Sequence, residues 1–164
     1  MMAAFACAKS KADVTLIEKN DICGKKLRIT GKGRCNITNK CDCQEFINNV
    51  PTNGRFLYGA FTRFTSSDTI SFFEDYGLEV NVERGNRVFP KSNKAIDVVN
   101  TMKLALKDVG CKIRKATAKE LIIERGICKG VKLVSGKELF CDAVILATGG
   151  KSYPKTGSTG DGYD

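Results

Sequence analysis

The run AVILATGG, residues 143–150, restricts the fold more than any other stretch of this chain. It is continuously apolar and closed by two glycines. A run without polar alternation suits a parallel strand covered on both faces, and parallel strands require crossover helices between them. The rest of the chain supplies elements of that kind. ADVTLIEK (12–19) is a short strand rich in β-branched residues. NKAIDVVNTMKLALKDVG (93–110) places Ala95, Val98, Val99, Met102 and Leu106 on one helical stripe, and Gly110 stops it.

Between them, residues 44–50 suit a short helical turn. In GRFLYGAFTRF the positions Phe56, Leu57, Ala60, Phe61 and Phe64 predict a helix with one apolar face. SSDTISFFEDYG predicts another, capped by Ser66 or Ser67, with Ile70, Phe73 and Tyr76 inward and Gly77 as its stop. Residues 78–83 are extended and CKIRK is a strand. KELIIERGICKGVKLVSGKELFCD (119–142) is a β-meander with turns near Arg125–Gly126 and Ser135–Gly136. In RVFPKSNKAIDVV, Pro90 ends a strand, Ser92 or Asn93 caps the next helix and Asp97 suits its first turn. Strand, helices, strand, meander, strand is the order of an α/β nucleotide-binding domain with an inserted antiparallel sheet.

The formal charge of +9, from 27 basic and 18 acidic residues, favours an anionic partner such as nucleic acid, an anionic membrane or a phosphorylated cofactor. No histidine is present, so imidazole chemistry is excluded within these 164 residues. No apolar run approaches the ~20 residues of a membrane span, and the first residues lack a signal-peptide pattern. A cytoplasmic location follows as the expectation. Of eight cysteines, Cys23, Cys35, Cys41 and Cys43 lie close together in sequence. Their one C-x-C and two singletons fit reduced thiols better than the paired C-x-x-C of a zinc or iron–sulfur site.

Two features point toward a nucleotide. Glu18 closes the strand 12–19, and a dinucleotide fold places at the end of its second strand the acid that accepts ribose hydroxyls; a plain surface carboxylate fits that position as well. The loop GKKLRITGKGRCNITN (24–39) combines Gly31 and Gly33 with Lys25, Lys26, Lys32 and Arg34, charge suited to a pyrophosphate. It lacks P-loop spacing, and a solvated basic turn fits the residues too.

Taken together, GKKLRITGKGRCNITN, RVFPKSNKAIDVV and ILATGGKSYPKTGSTGDGY closely resemble one family, the aminoacetone-oxidase-like FAD-dependent oxidoreductases, which include bile-acid enone reductases. The resemblance covers essentially the whole chain, in order. Lys32 stands where the family's G-G-G-R-C-N loop has its middle glycine. The resemblance implies that Glu18 holds the adenosine ribose and that Lys25, Lys26, Gly33, Arg34, Cys35 and Asn36 lie along FAD. It implies that Ala118 meets the adenine through its backbone, that Thr148, Gly149 and Gly150 return under the cofactor, and that Asp161 orients a ribityl group or a phosphate-bound water. Cys35 is expected to pack or touch cofactor rather than act as a redox thiol, since no resolving partner adjoins it.

The resemblance also implies an incomplete Rossmann-like FAD/NAD(P)-binding domain. Its first strand and G-x-G-x-x-G turn would precede Met1, and further domains would follow Asp164. On that reading 1–164 is one partial domain: a ribose and pyrophosphate side (1–39), a helical part (44–110), strands and meander (111–150) and a glycine-rich tail (151–164). The implied activity is hydride or electron transfer through flavin to or from a small organic molecule, with NAD(P)H a candidate donor. No residue stands out as an acid–base catalyst, and no metal ligand set, nucleic acid or membrane is expected. The partners would be a small-molecule substrate and the missing parts of the same enzyme. Lacking its first strand, the chain alone would be poorly stable and hold FAD weakly. A cysteine metal module at 23–43 and a basic nucleic-acid-binding protein are the rival readings.

Overall fold

The computed structural model describes residues 1–163, whose contacts divide into two compact units. One unit joins Met1–Lys26 to the chain from Ala105 onward; the other is Leu27–Leu104. The first unit is thus made from both ends of the chain.

The first unit opens with α1 (Met2–Lys9), which buries Phe5 and Ala8. Its successor β1 (Thr15–Glu18) pairs in parallel with β5 (Lys112–Lys115), in the register Thr15↔Lys112 to Glu18↔Lys115. A separate antiparallel meander follows: β6 (Ala118–Glu124), β7 (Ile127–Leu133) and β8 (Glu138–Phe140). Arg125 and Gly126 both take positive φ, 50° and 77°, as the tight turn between β6 and β7 demands. Gly130 in β7 lies so close to the β8 backbone at Leu139 and Phe140 that a side chain there would clash.

The second unit begins within α2 (Lys25–Ile29) and passes through a 3₁₀ turn (Thr30–Gly33). It then forms β2 (Thr38–Asn39), α3 (Cys43–Asn48), a second 3₁₀ turn (Gly54–Leu57), α4 (Tyr58–Phe61) and α5 (Ser66–Asp75). β3 (Val80–Glu83) and β4 (Arg87–Pro90) complete a three-stranded antiparallel sheet in the order β2-β4-β3. Then α6 (Ala95–Asp108) runs on into the first unit. Its stripe is as expected, with Val99, Ala105 and Leu106 fully shielded and Val98 and Met102 nearly so. Burial of each large side chain stabilises the fold by about 1.5–3 kcal/mol. Gly110 ends the helix at φ 72°.

Three expectations are corrected. AVILATGG is not a buried strand: Ile145 and Leu146 are each 60% exposed, and residues 143–150 form no backbone hydrogen bond among the described residues. A strand takes its burial from neighbours, and none of the described strands lies against this one. The aromatic stretch 54–64 is not one helix with one apolar face. It breaks into the 3₁₀ turn and α4, leaving Phe56 86% exposed while Leu57 and Phe61 turn inward. The cap of α5 is Thr65, just before the expected serines, and the helix buries Phe73 as expected but adds Phe72, while Ile70 and Tyr76 are only half-buried.

Candidate functional site

In the first unit, the carboxyl end of β1 delivers Glu18 and Lys19 to a polar turn. Glu18 Oε1 accepts from the Asn20 backbone N–H at 2.9 Å and from its side-chain amide at 2.7 Å. The carboxylate therefore orders the turn through one oxygen. Lys19 ion-pairs with Asp161 and donates to Thr159 Oγ1 at 2.6 Å. Lys26 Nζ donates to Ser158 Oγ at 3.0 Å and Thr156 Oγ1 at 3.2 Å, and lies 5.3 Å from the centre of the Tyr153 ring. Gly157, at φ 96°, packs against the methylenes of Lys25. The Lys19 ammonium, aided by the Thr159 hydroxyl, holds the Asp161 carboxyl below its ordinary range.

Three lysines thus converge on the segment 153–161, and three hydroxyls and one carboxylate face them. Among the described residues neither Lys25 nor Lys26 has an ion-pair partner. Clustered ammonium groups backed by hydroxyls are the donor set a diphosphate ester needs. Sequence reasoning named Lys25, Lys26 and Asp161 but missed Lys19, Thr156, Ser158 and Thr159. The usable signal was the lysine directly after the strand-ending acid, together with the hydroxyl-rich TGSTGDG stretch.

The remaining expected residues are held differently. Thr148 lies beside Gly162 in the same unit, while Gly149 and Gly150 sit in the exposed run. Ala118 opens β6 opposite Leu133.

In the second unit, the loop 30–36 is built on positive φ: Gly31 55°, Lys32 57°, Gly33 85° and Cys35 61°. A side chain at Gly31 would meet the Asn36 N–H and the Phe89 ring, each 3.1 Å from its Cβ. Lys32 adopts the left-handed conformation that a glycine takes freely. Arg34 ion-pairs with Glu83, and its Nε donates to Asn93 Oδ1 at 2.7 Å. The Asn36 amide, with its nitrogen toward the sheet, donates to Thr38 O at 3.0 Å and Val88 O at 3.2 Å. Cys35 is 1% exposed, and burial pushes its thiol up despite a hydrogen bond from Thr30. Arg34, Cys35 and Asn36 thus have structural partners inside their own unit. All eight cysteines are free thiols, and the described residues contain no group of three metal-ligating side chains.

A family model, the HI0933-like protein Rossmann domain, matches residues 1–164. The chain belongs to the HI0933-like Rossmann-domain family. Its α/β fold with a parallel strand pair is the Rossmann-like arrangement expected. The L-proline dehydrogenase of P. horikoshii shares the fold at a TM-score of 0.52 and 15% identity, over 90% of this chain and 49% of the dehydrogenase. A 3-dehydro-bile acid delta(4,6)-reductase from Clostridium scindens is 32% identical over 99% of this HI0933-like chain and 39% of the reductase. A ribosomal RNA dihydrouridine synthase from Haemophilus influenzae is 27% identical over 99% of the chain and 41% of the synthase. The HI0933-like chain therefore spans about two-fifths of the length of these curated relatives. Among its described residues, no helix is long and apolar enough to cross a membrane.

Proposed function

We propose that this chain is the FAD-binding part of a flavin-dependent oxidoreductase that reduces a carbon–carbon double bond of an organic ring, with NAD(P)H as electron donor. The observation that carries the reading is the convergence of Lys19, Lys25 and Lys26 on a hydroxyl-rich loop at the carboxyl end of a parallel strand. Ligands of open α/β sheets lie at that end. The double bond is taken from the names of the reductase and the synthase, which share that chemistry.

In this reading Lys25 and Lys26 bind the diphosphate, and Glu18 offers its second carboxylate oxygen to the adenosine ribose. Bound flavin would supply the hydride chemistry, and this chain's residues position and orient it. The exposed 143–150 run and the free edge of β1 support a further part of the proposal: a longer protein adds a strand and a glycine-rich turn here.

Flavin absorbance after purification tests both parts. The 164-residue chain alone is expected to retain little FAD, and the gene product extended upstream to retain it stoichiometrically. Stoichiometric flavin on the short chain would refute incompleteness. Absence of flavin from the extended protein would refute the flavin reading.

A further inference from the structure

The segment 151–163 meets the lysines through the side chains of Tyr153, Thr156, Ser158, Thr159 and Asp161 and through Gly157. Among the described residues its backbone hydrogen bonds, Thr156 N–H to Tyr153 O, Gly157 N–H to Pro154 O, Ser158 N–H to Tyr153 O and Tyr163 N–H to Gly160 O, all stay within it. Nothing in it joins a sheet. Its backbone is thus paired with no other described element.

What it covers is charged. Lys19, Lys25 and Lys26 carry three positive charges against the single carboxylate of Asp161. Nearby, Asp21 ion-pairs with Lys115 and also feels the Lys25 charge, Glu18 accepts, among the described residues, only from the neutral Asn20, and the Lys151 stem packs beside Gly160. Lysines outnumber carboxylates around the loop, which favours an anionic group there. The Lys19–Asp161 pair is 31% and 42% exposed, so solvent screens it and its loss shifts an equilibrium by less than about fivefold.

We propose that residues 153–161 form a displaceable strap over the diphosphate-binding lysines, with Asp161 as the internal anion on Lys19, and that a diphosphate releases the strap by taking Lys19 and Lys26. The inference rests on the reading that these lysines face a dinucleotide. It reverses the role expected of Asp161, which competes with the ligand instead of orienting it. Ser158 Oγ and Thr156 Oγ1 stand where phosphate oxygens would accept from Lys26.

Inorganic pyrophosphate and the full 164-residue chain suffice as the test, with trypsin cleavage after the exposed Lys155 as readout by mass spectrometry. Pyrophosphate is expected to speed that cleavage severalfold, and sodium chloride of equal ionic strength to leave it unchanged. Asp161→Asn should tighten pyrophosphate binding about threefold in calorimetry, and Lys26→Met should weaken it about tenfold. Lys26→Arg, which keeps the charge, should restore most of it. Failure of pyrophosphate to bind, cleavage unchanged or slowed while it is bound, equal acceleration by chloride, or an unaltered affinity in Asp161→Asn would each overturn the strap. A flavin titration separates this from the cofactor assignment. Flavin bound with cleavage unchanged ends the strap alone. Pyrophosphate opening the strap in a protein that never takes flavin ends the FAD reading alone.

Discussion

Arg34 lays its guanidinium over the Phe89 ring, 4.2 Å from the ring centre. The same group reaches Glu83 and Asn93, so one side chain ties the loop 30–36 to β3, β4 and the turn before α6. Arg34→Ala is expected to destabilise the chain by about 1–2 kcal/mol, mostly from the cation–π contact and the hydrogen bond to the Asn93 amide. Glu83→Gln should cost under about 0.5 kcal/mol, because both partners of that pair are about one-third exposed. Urea denaturation of both variants measures the difference, and equal losses would show that the ion pair dominates.

Thr65 caps α5 by accepting from the Asp68 N–H at 3.1 Å, while Asp68 Oδ2 accepts from the Thr65 N–H and hydroxyl, each at 2.7 Å. These bonds hold the Asp68 carboxyl below its ordinary value of 3.8. A depressed carboxyl stabilises the fold above its ordinary value, and that support is lost as pH falls through the folded value. Thr65→Ala should cost about 1 kcal/mol near neutrality from the lost hydroxyl cap. The gap between variant and wild type should narrow as urea midpoints are taken from about pH 6 down to about pH 2.5. A constant gap would show that the carboxylate contributes nothing.

Burial raises the thiols of Cys35 and Cys111, and Cys141 is exposed. Since thiolate is the attacking species, iodoacetamide at about pH 8 should label Cys141 first and Cys35 last. Peptide mapping of partial labelling reads the order. Labelling of Cys35 as fast as Cys141 would contradict the buried, left-handed placement of residue 35.

Leu146 is 60% exposed and Leu106 is fully buried. Leu146→Lys should change unfolding free energy by less than about 0.5 kcal/mol and reduce light scattering, because nothing packs on it. Leu106→Ala should cost about 2–5 kcal/mol. A core-sized loss from Leu146→Lys would mean that the 143–150 run packs in solution.

Elements whose signals are local were legible in the sequence. The α6 stripe was read residue by residue, because Val98, Val99, Met102 and Leu106 make the helix amphipathic by themselves. The turn at Arg125–Gly126 was legible for the same reason. The state of Ile145 was not, because an apolar run encodes a preference for burial while a neighbouring strand provides it. Phe56 was misplaced because Gly54 turns the chain tightly against Ile47 and shifts the helical phase. At the candidate site, Lys26 was legible from its basic loop. Lys19 and Ser158 were not, since 139 residues part them and only the folded first unit brings them to one loop.

The pairing of β1 with β5 has a consequence for the order in which this protein takes shape. Thr15 meets Lys112, 97 residues further along. Closing so long a loop costs on the order of 4 kcal/mol in chain entropy before the first rung repays any of it. The hairpin Glu83↔Arg87 closes over a handful of residues and faces no such delay. A ribosome also finishes residues 27–104 before β5 is made. The middle of the chain is thus free to settle while β1 waits unpaired, and that interval is when the nascent protein most needs shielding from its neighbours.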